Sequence, residues 1–122
     1  METASFEQLV ARAIESLPEE IRESLENVDV IVADDLTPDQ RQSEGLKNNE
    51  TLLGLYEGVP LTKRTHGYSG VVPDKITIFQ KPIEASCKND IQIVAAVQRV
   101  VRHEIAHHFG IDDDRLKEIR RY

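Results

Sequence analysis

The stretch HEIAHHFGIDDD, at residues 103–114, concentrates side chains that bind metal ions. His103 and His107 are four residues apart, so on a helix their side chains share one face with Cβ atoms about 5–6 Å apart. Two imidazole nitrogens can then approach one ion at ~2.0–2.1 Å, the usual zinc–nitrogen distance. Glu104 is rotated by about 100° from His103 and can reach a water molecule beside the ion. The pattern H-E-x-x-H therefore predicts two metal ligands and a general base on one helix.

A third metal ligand is expected beyond the end of this helix, because catalytic zinc sites use three protein ligands and one open position. Gly110 stands three residues after His107, and glycine commonly ends a helix because it adopts the left-handed conformation. Asp113 follows three residues later and completes the pattern H-E-x-x-H-x-x-G-x-x-D. We expect Asp113 to be the third ligand, whereas Asp112 and Asp114 are expected to cap the next helix or face solvent.

Three further side chains offer alternatives for the site. His108 falls near 140° on a helical wheel that has His103 at zero, so we expect it to pack or to donate a hydrogen bond near the site rather than to bind metal. His66, in the segment THGYSG, is an alternative ligand that ranks below Asp113 because nothing in the sequence fixes its position. Tyr68 could donate a hydrogen bond to an oxyanion or simply pack.

The helix that carries the pattern is predicted to begin near Asn89 or Asp90, either of which can cap it. At ~100° per residue, His103, Glu104 and His107 continue the apolar face of this helix. That face is formed by Ile93, Val94, Ala96, Val97, Val100 and Val101. A buried glutamate without a partner would be costly, so the cluster needs a compensating group, and a cation is the simplest one.

The elements around this helix are expected to be a small sheet and further helices. Apolar residues at helical spacing favour an amphipathic helix over residues 4–16, and acidic residues after Pro18 favour a second, short one. β-Branched or alternating runs predict strands, of which VDVIVAD is typical of a buried strand. The predicted strands span residues 28–34, 51–58 and 75–80, and a last helix spans residues 113–121. This order predicts an α+β (α/β layer) fold, with a small mixed β-sheet of about three to four strands packed by helices.

Composition and charge exclude several classes of function. The chain of 122 residues has a net charge of −7, and its few basic residues form no patch for nucleic acid. One cysteine, Cys87, cannot form an internal disulfide, which fits a reducing compartment. METASFEQLV lacks the features of a secretory signal, and no apolar run approaches the ~20 residues needed to cross a membrane. We therefore expect a cytoplasmic protein that binds neither nucleic acid nor membranes.

The segment HEIAHHFGIDDDRL resembles the signature of the bacterial minimal zincin-like metallopeptidases. The resemblance covers most of the chain, and GYSGVVPDKITIFQKPIE is similar to the family's segment between a loop and the third strand. It implies one minimal zincin-like domain over residues 1–122, with Zn²⁺ held by His103, His107 and Asp113 and with Glu104 as the base. The pattern is also similar to that of metzincins, but Met1 is the only methionine, so the Met-turn that follows a metzincin site cannot be present.

These observations predict a zinc-dependent metallopeptidase, a hydrolase that cleaves peptide bonds with a metal-activated water and a glutamate general base. The expected substrate is a peptide or protein that lies extended along a sheet edge. One alternative is a non-proteolytic protein that retains a zincin site for metal or partner binding, because a chain of this size has little surface for a cleft. Another is hydrolysis of a non-peptide bond by the same activated water.

Overall fold

The computed structural model describes residues 1–58 and 74–110. Within these ranges the chain forms five helices and three strands. The helices are α1 (Thr3–Glu15), α2 (Glu19–Ser24), α3 (Pro38–Ser43), α4 (Gln80–Ala85) and α5 (Asp90–His108). The strands are β1 (Val28–Ala33), β2 (Gly54–Glu57) and β3 (Asp74–Phe79). No helix in the described part of the chain is long and apolar enough to cross a membrane.

The three strands form one mixed sheet with β3 at its centre, in the order β1-β3-β2. β1 runs parallel to β3, with Val28 opposite Asp74, and β2 runs antiparallel to β3, with Gly54 opposite Ile78. This arrangement confirms the predicted α+β fold with a small mixed sheet and packed helices.

Apolar side chains leave β3 on both of its faces, because successive residues of a strand point to opposite sides. Ile76 and Ile78 are fully buried in the main core, which also contains residues from α1, α4 and α5. Phe79 is fully buried in a second cluster with Leu36 and Leu55. Full burial of one aliphatic or aromatic side chain is worth about 1.5–3 kcal/mol. The central strand is therefore fixed from both sides, and α5 packs against it and against β2.

Two local predictions need correction. VDVIVAD predicts a buried strand, but among the described strands β1 lies at the edge of the sheet, with Asp29 and Ile31 exposed. Its β-branched composition indicates a strand and cannot distinguish an edge from a central position. Gln80, which was assigned to the third strand, instead opens α4, a helix that was not predicted. Pro82 is tolerated there because the first-turn N–H groups of a helix have no partner within it.

The boundaries of α5 agree with the predicted caps. The Asn89 side chain accepts a hydrogen bond from the backbone N–H of Gln92 at 2.9 Å. At the other end, Gly110 adopts φ = 82°, and its N–H donates to the carbonyl of His107 at 2.9 Å. A side chain is disfavoured at such a left-handed position, so glycine suits the end of this helix.

Candidate metal centre

The last two turns of α5 bring two imidazole rings together. His103 Nε2 and His107 Nε2 are 3.2 Å apart, and the rings meet edge to face with centroids 4.9 Å apart. Two ligand atoms at ~2.05 Å from a tetrahedral zinc ion would lie about 3.3 Å from each other. The distance in the structure therefore fits two nitrogens that share one ion, and the same distance also allows a hydrogen bond between a neutral donor and an acceptor ring.

Glu104 supplies a carboxylate beside the imidazole pair. Its Oε2 lies 4.0 Å from His103 Nε2, and one ligand atom from each of His103, Glu104 and His107 falls within 4.8 Å of the other two. These dimensions suit a metal ion with an adjacent carboxylate. The donor set of two imidazoles and a carboxylate is one that zinc and other transition metals accept.

Burial differs sharply across this cluster. The Glu104 side chain is only 9% exposed, whereas the His103 side chain is 42% exposed. Glu104 lies at the middle of the buried side of α5, and the two histidines lie at its margin. Glu104 therefore continues the apolar face as predicted, whereas His103 and His107 lie at the edge of that face and are partly exposed. The arrangement leaves one side of the site open to water while the carboxylate stays in the core.

Gly54, at the start of β2, allows this strand to lie directly against α5. A Cβ atom at Gly54 would be 2.7 Å from Val100 Cγ1 and 3.1 Å from Glu104 Cγ. The backbone of β2 is therefore in close contact with the helical turn that carries Glu104. Sequence reasoning placed this glycine in a strand but could not place the strand under the site.

The close approach at Gly54 leads to a prediction about stability. We expect Gly54→Ala to lower the free energy of unfolding by about 1–3 kcal/mol, the usual cost of overpacking, because the new methyl group overlaps Val100 Cγ1. Urea denaturation measures this change. In a Val100→Ala background the same substitution should cost clearly less, because the overlapping methyl group is gone. Equal costs in both backgrounds would show that steric overlap with Val100 is not the cause.

A second polar cluster lies at the C-terminal end of α5. Asp74 Oδ2 accepts a hydrogen bond from the Tyr56 hydroxyl at 2.7 Å and lies 2.9 Å from His108 Nδ1. Asp74 and His108 are each 2% exposed. His108 thus packs in the interior and forms a hydrogen bond, the two roles considered for it. Sequence reasoning missed Tyr56 and Asp74, because only the strand order brings residues from β2, β3 and α5 to one point.

Several predicted residues lie outside the described part of the chain. They are Asp113, its neighbours Asp112 and Asp114, His66 and Tyr68, together with the predicted last helix. The third metal ligand therefore stays a prediction.

Comparison with known proteins gives a match to a family model and a similar solved structure. A family model described as zincin-like metallopeptidase matches residues 25–122, a range that contains all three strands and the whole H-E-x-x-H-x-x-G-x-x-D pattern. A conserved hypothetical protein from Thermus thermophilus has a similar structure, with a TM-score of 0.61 and 22% sequence identity over 89% of this chain and 94% of that chain. Similarity at this identity shows the fold alone. No curated protein matches the chain.

Proposed function

The chain belongs to the zincin-like metallopeptidase family, and from this premise we propose that it is a zinc-dependent metallopeptidase that hydrolyses peptide bonds with Glu104 as general base. The observation that carries the proposal is the geometry of α5: two imidazole nitrogens 3.2 Å apart with a nearly buried carboxylate beside them. Two imidazoles with an adjacent carboxylate on one helix are the arrangement that a hydrolytic zinc site uses for its ligands and its base.

The proposed ligands are His103 and His107, through their Nε2 atoms, and Asp113. Zinc bound there would polarise a carbonyl group and make a water molecule more acidic. The open side of the site, where His103 is partly exposed, leaves access for water and substrate. The other transition metals that accept imidazole and carboxylate ligands are competitors in a loading experiment.

Glu104 has the position of a proton carrier in this proposal. Its carboxylate, 4.0 Å from His103 Nε2, is close enough to accept a proton from a water molecule next to the ligand pair. After attack on the scissile carbonyl, the same carboxyl group would deliver that proton to the leaving amine. Burial limits contact between this carboxylate and bulk water, so the proton stays available for the second transfer.

The edge strand β2 supports an extended peptide as the substrate. β2 pairs with β3 on one side only within the described sheet, and Gly54 brings its backbone against the turn that carries Glu104. A peptide that adds a strand along such an edge uses main-chain hydrogen bonds for affinity. The substrate class that fits best is therefore an unfolded segment or a flexible peptide.

A peptide-library experiment tests this function. The zinc-loaded protein and a chelator-stripped sample are incubated with a library of unstructured peptides, and new termini are identified by mass spectrometry. We expect cleavage by the loaded sample alone and its recovery when zinc is added back. Absence of cleavage by protein that holds one zinc ion per chain would instead support a non-proteolytic metal-binding or partner-binding protein.

The proposal makes a specific prediction for the three consecutive aspartates. Asp113→Ala should weaken zinc binding by on the order of 10²-fold, which corresponds to one ligand's part of the total binding free energy of a zinc site. Asp112→Ala and Asp114→Ala are matched controls, because each removes the same carboxylate one position away and should leave the zinc affinity near that of the wild type. Competition with a chromophoric chelator measures all three. A loss of affinity at Asp112 or Asp114 in place of Asp113 would reassign the ligand.

A further inference from the structure

Asp74 occupies a buried position that joins three elements. It is the first residue of β3, it is 2% exposed, and its Oδ2 contacts both the Tyr56 hydroxyl of β2 and Nδ1 of His108 in α5. The Tyr56 hydroxyl also lies 3.4 Å from His108 Nδ1, so the three groups form a closed triangle. A buried polar group whose hydrogen bonds are satisfied makes the elements that it joins more rigid.

The carboxylate determines how the His108 ring is held. Neutral histidine with its proton on Nδ1 donates to Asp74 Oδ2 and leaves Nε2 as an acceptor. Within residues 1–58 and 74–110, this buried Nε2 has no hydrogen-bond partner. A proton on Nε2 would be a buried donor without a partner among these residues, so the contact with Asp74 selects both the tautomer and the ring orientation.

The absence of a side chain at Gly58 leaves space for the Asp74 carboxylate. A Cβ atom at Gly58 would overlap Asp74 Oδ1 and would lie 2.6 Å from Asp74 Cγ. The carboxylate therefore lies flat against the backbone at the end of β2. A shorter side chain at position 74 would leave His108 Nδ1 without its acceptor.

His108 belongs to the same helical turn as His107. Val101 and Glu104 are buried one turn earlier and Ile105 is buried at the start of this turn, whereas His107 is only half-buried at the margin. The backbone N–H groups of Phe109 and Gly110 donate to carbonyl groups of this turn, but these bonds are local and do not tie it to the sheet. Ile105 and Phe109 give this turn apolar contacts with the core, and His108 adds a polar contact to the carboxylate at the start of β3.

We propose that Asp74 is a positioning residue for the metal centre: through His108 it anchors the last turn of α5 to the sheet and thereby sets the place of His107. Carboxylates that orient the surroundings of a metal ligand commonly change metal affinity when they are removed. This proposal rests on the metal site of the proposed function and is independent of whether that site cleaves peptides.

The test uses metal binding by the full chain. Zn²⁺ affinity is measured by competition with a chromophoric chelator, and the visible absorption spectrum of bound Co²⁺ reports the ligand geometry. We expect Asp74→Ala to bind Zn²⁺ about 10-fold more weakly, the lower end of the usual range for such outer residues, because Asp74 acts through His108. The Co²⁺ spectrum should change in the same variant, since His107 no longer keeps its place.

Three variants separate positioning from general stability, each studied below its own unfolding temperature. Asp74→Asn retains an oxygen that accepts from His108 and should recover most of the affinity and the wild-type spectrum. His108→Phe retains an aromatic ring beside Tyr56 and Phe109 but removes the nitrogen. It should bind Zn²⁺ about 10-fold more weakly and change the Co²⁺ spectrum, and it tests the proposal by itself if Asp74→Ala does not fold. Ile83→Val alters the core in α4 and should leave the affinity and the spectrum unchanged.

The outcomes are distinguishable from failure of the proposed function. If the wild-type chain binds neither Zn²⁺ nor Co²⁺, the metal site itself is wrong. If the wild type binds both, and His108→Phe matches Ile83→Val in affinity and spectrum, the anchor does not position the site and the proposal is overturned.

Discussion

Replacement of Glu104 with glutamine is expected to leave zinc bound and to lower the rate of peptide hydrolysis by at least about 10²–10⁴-fold, the usual contribution of a general acid–base group. Glutamine has the shape of glutamate and fills the same nearly buried space, so the helix and the imidazole pair should keep their positions. Its amide cannot accept a proton from water and deliver it to an amine. The loss should therefore fall on the chemical step and not on metal binding.

This experiment needs two measurements on the same sample. Elemental analysis gives zinc per chain, and cleavage of a peptide taken from the library gives the rate. Glu23→Gln, an equivalent change at an exposed site on α2, is the matched control and should have wild-type activity. A Glu104→Gln protein with both full zinc content and full activity would remove Glu104 from the role of base.

Loss of either imidazole should have the largest effect on metal content. We expect His103→Ala and His107→Ala to weaken zinc binding by on the order of 10²–10³-fold, because a zinc site with a binding free energy of about 10–16 kcal/mol shares it among four ligands. The 3.2 Å distance between the two Nε2 atoms fits two ligands of one ion, so each ring should contribute to the affinity. Elemental analysis after dialysis against a weak chelator measures the loss.

His66→Ala is the informative comparison for these two variants. His66 was considered as an alternative ligand and ranked below Asp113, so its removal should leave the zinc content unchanged. Zinc loss in His66→Ala together with retention in Asp113→Ala would exchange the two assignments. Unchanged zinc in His103→Ala and in His107→Ala would refute the helical ligand pair.

The sequence was sufficient for features that depend on neighbours along the chain. The spacing of His103 and His107 places two rings on one helical face, and Asn89 and Gly110 mark the ends of the helix because capping is a local effect. The mixed sheet also followed from the order of the predicted elements.

The sequence was insufficient for features that depend on strand order. Nothing in the separate segments indicates that Gly54 lies under Glu104 or that Asp74 meets His108, because both contacts exist only once β2 and β3 are paired next to α5. The exposure of Asp29 and Ile31 in β1 has the same origin, since it depends on the place of β1 in the order of the described strands. The short helix α4 was missed because its six residues carry too little periodicity.

The central position of β3 also determines when the sheet can form during synthesis. β1 and β2 do not pair with each other, and each pairs with β3, which follows both of them in the chain. A ribosome that has released residues 28–57 has therefore released two strands with no partner. Pairing across a span as long as residues 28 to 74 requires closure of a large loop, which slows folding. The sheet, and the helix that packs on it, should therefore assemble in one late event after β3 emerges.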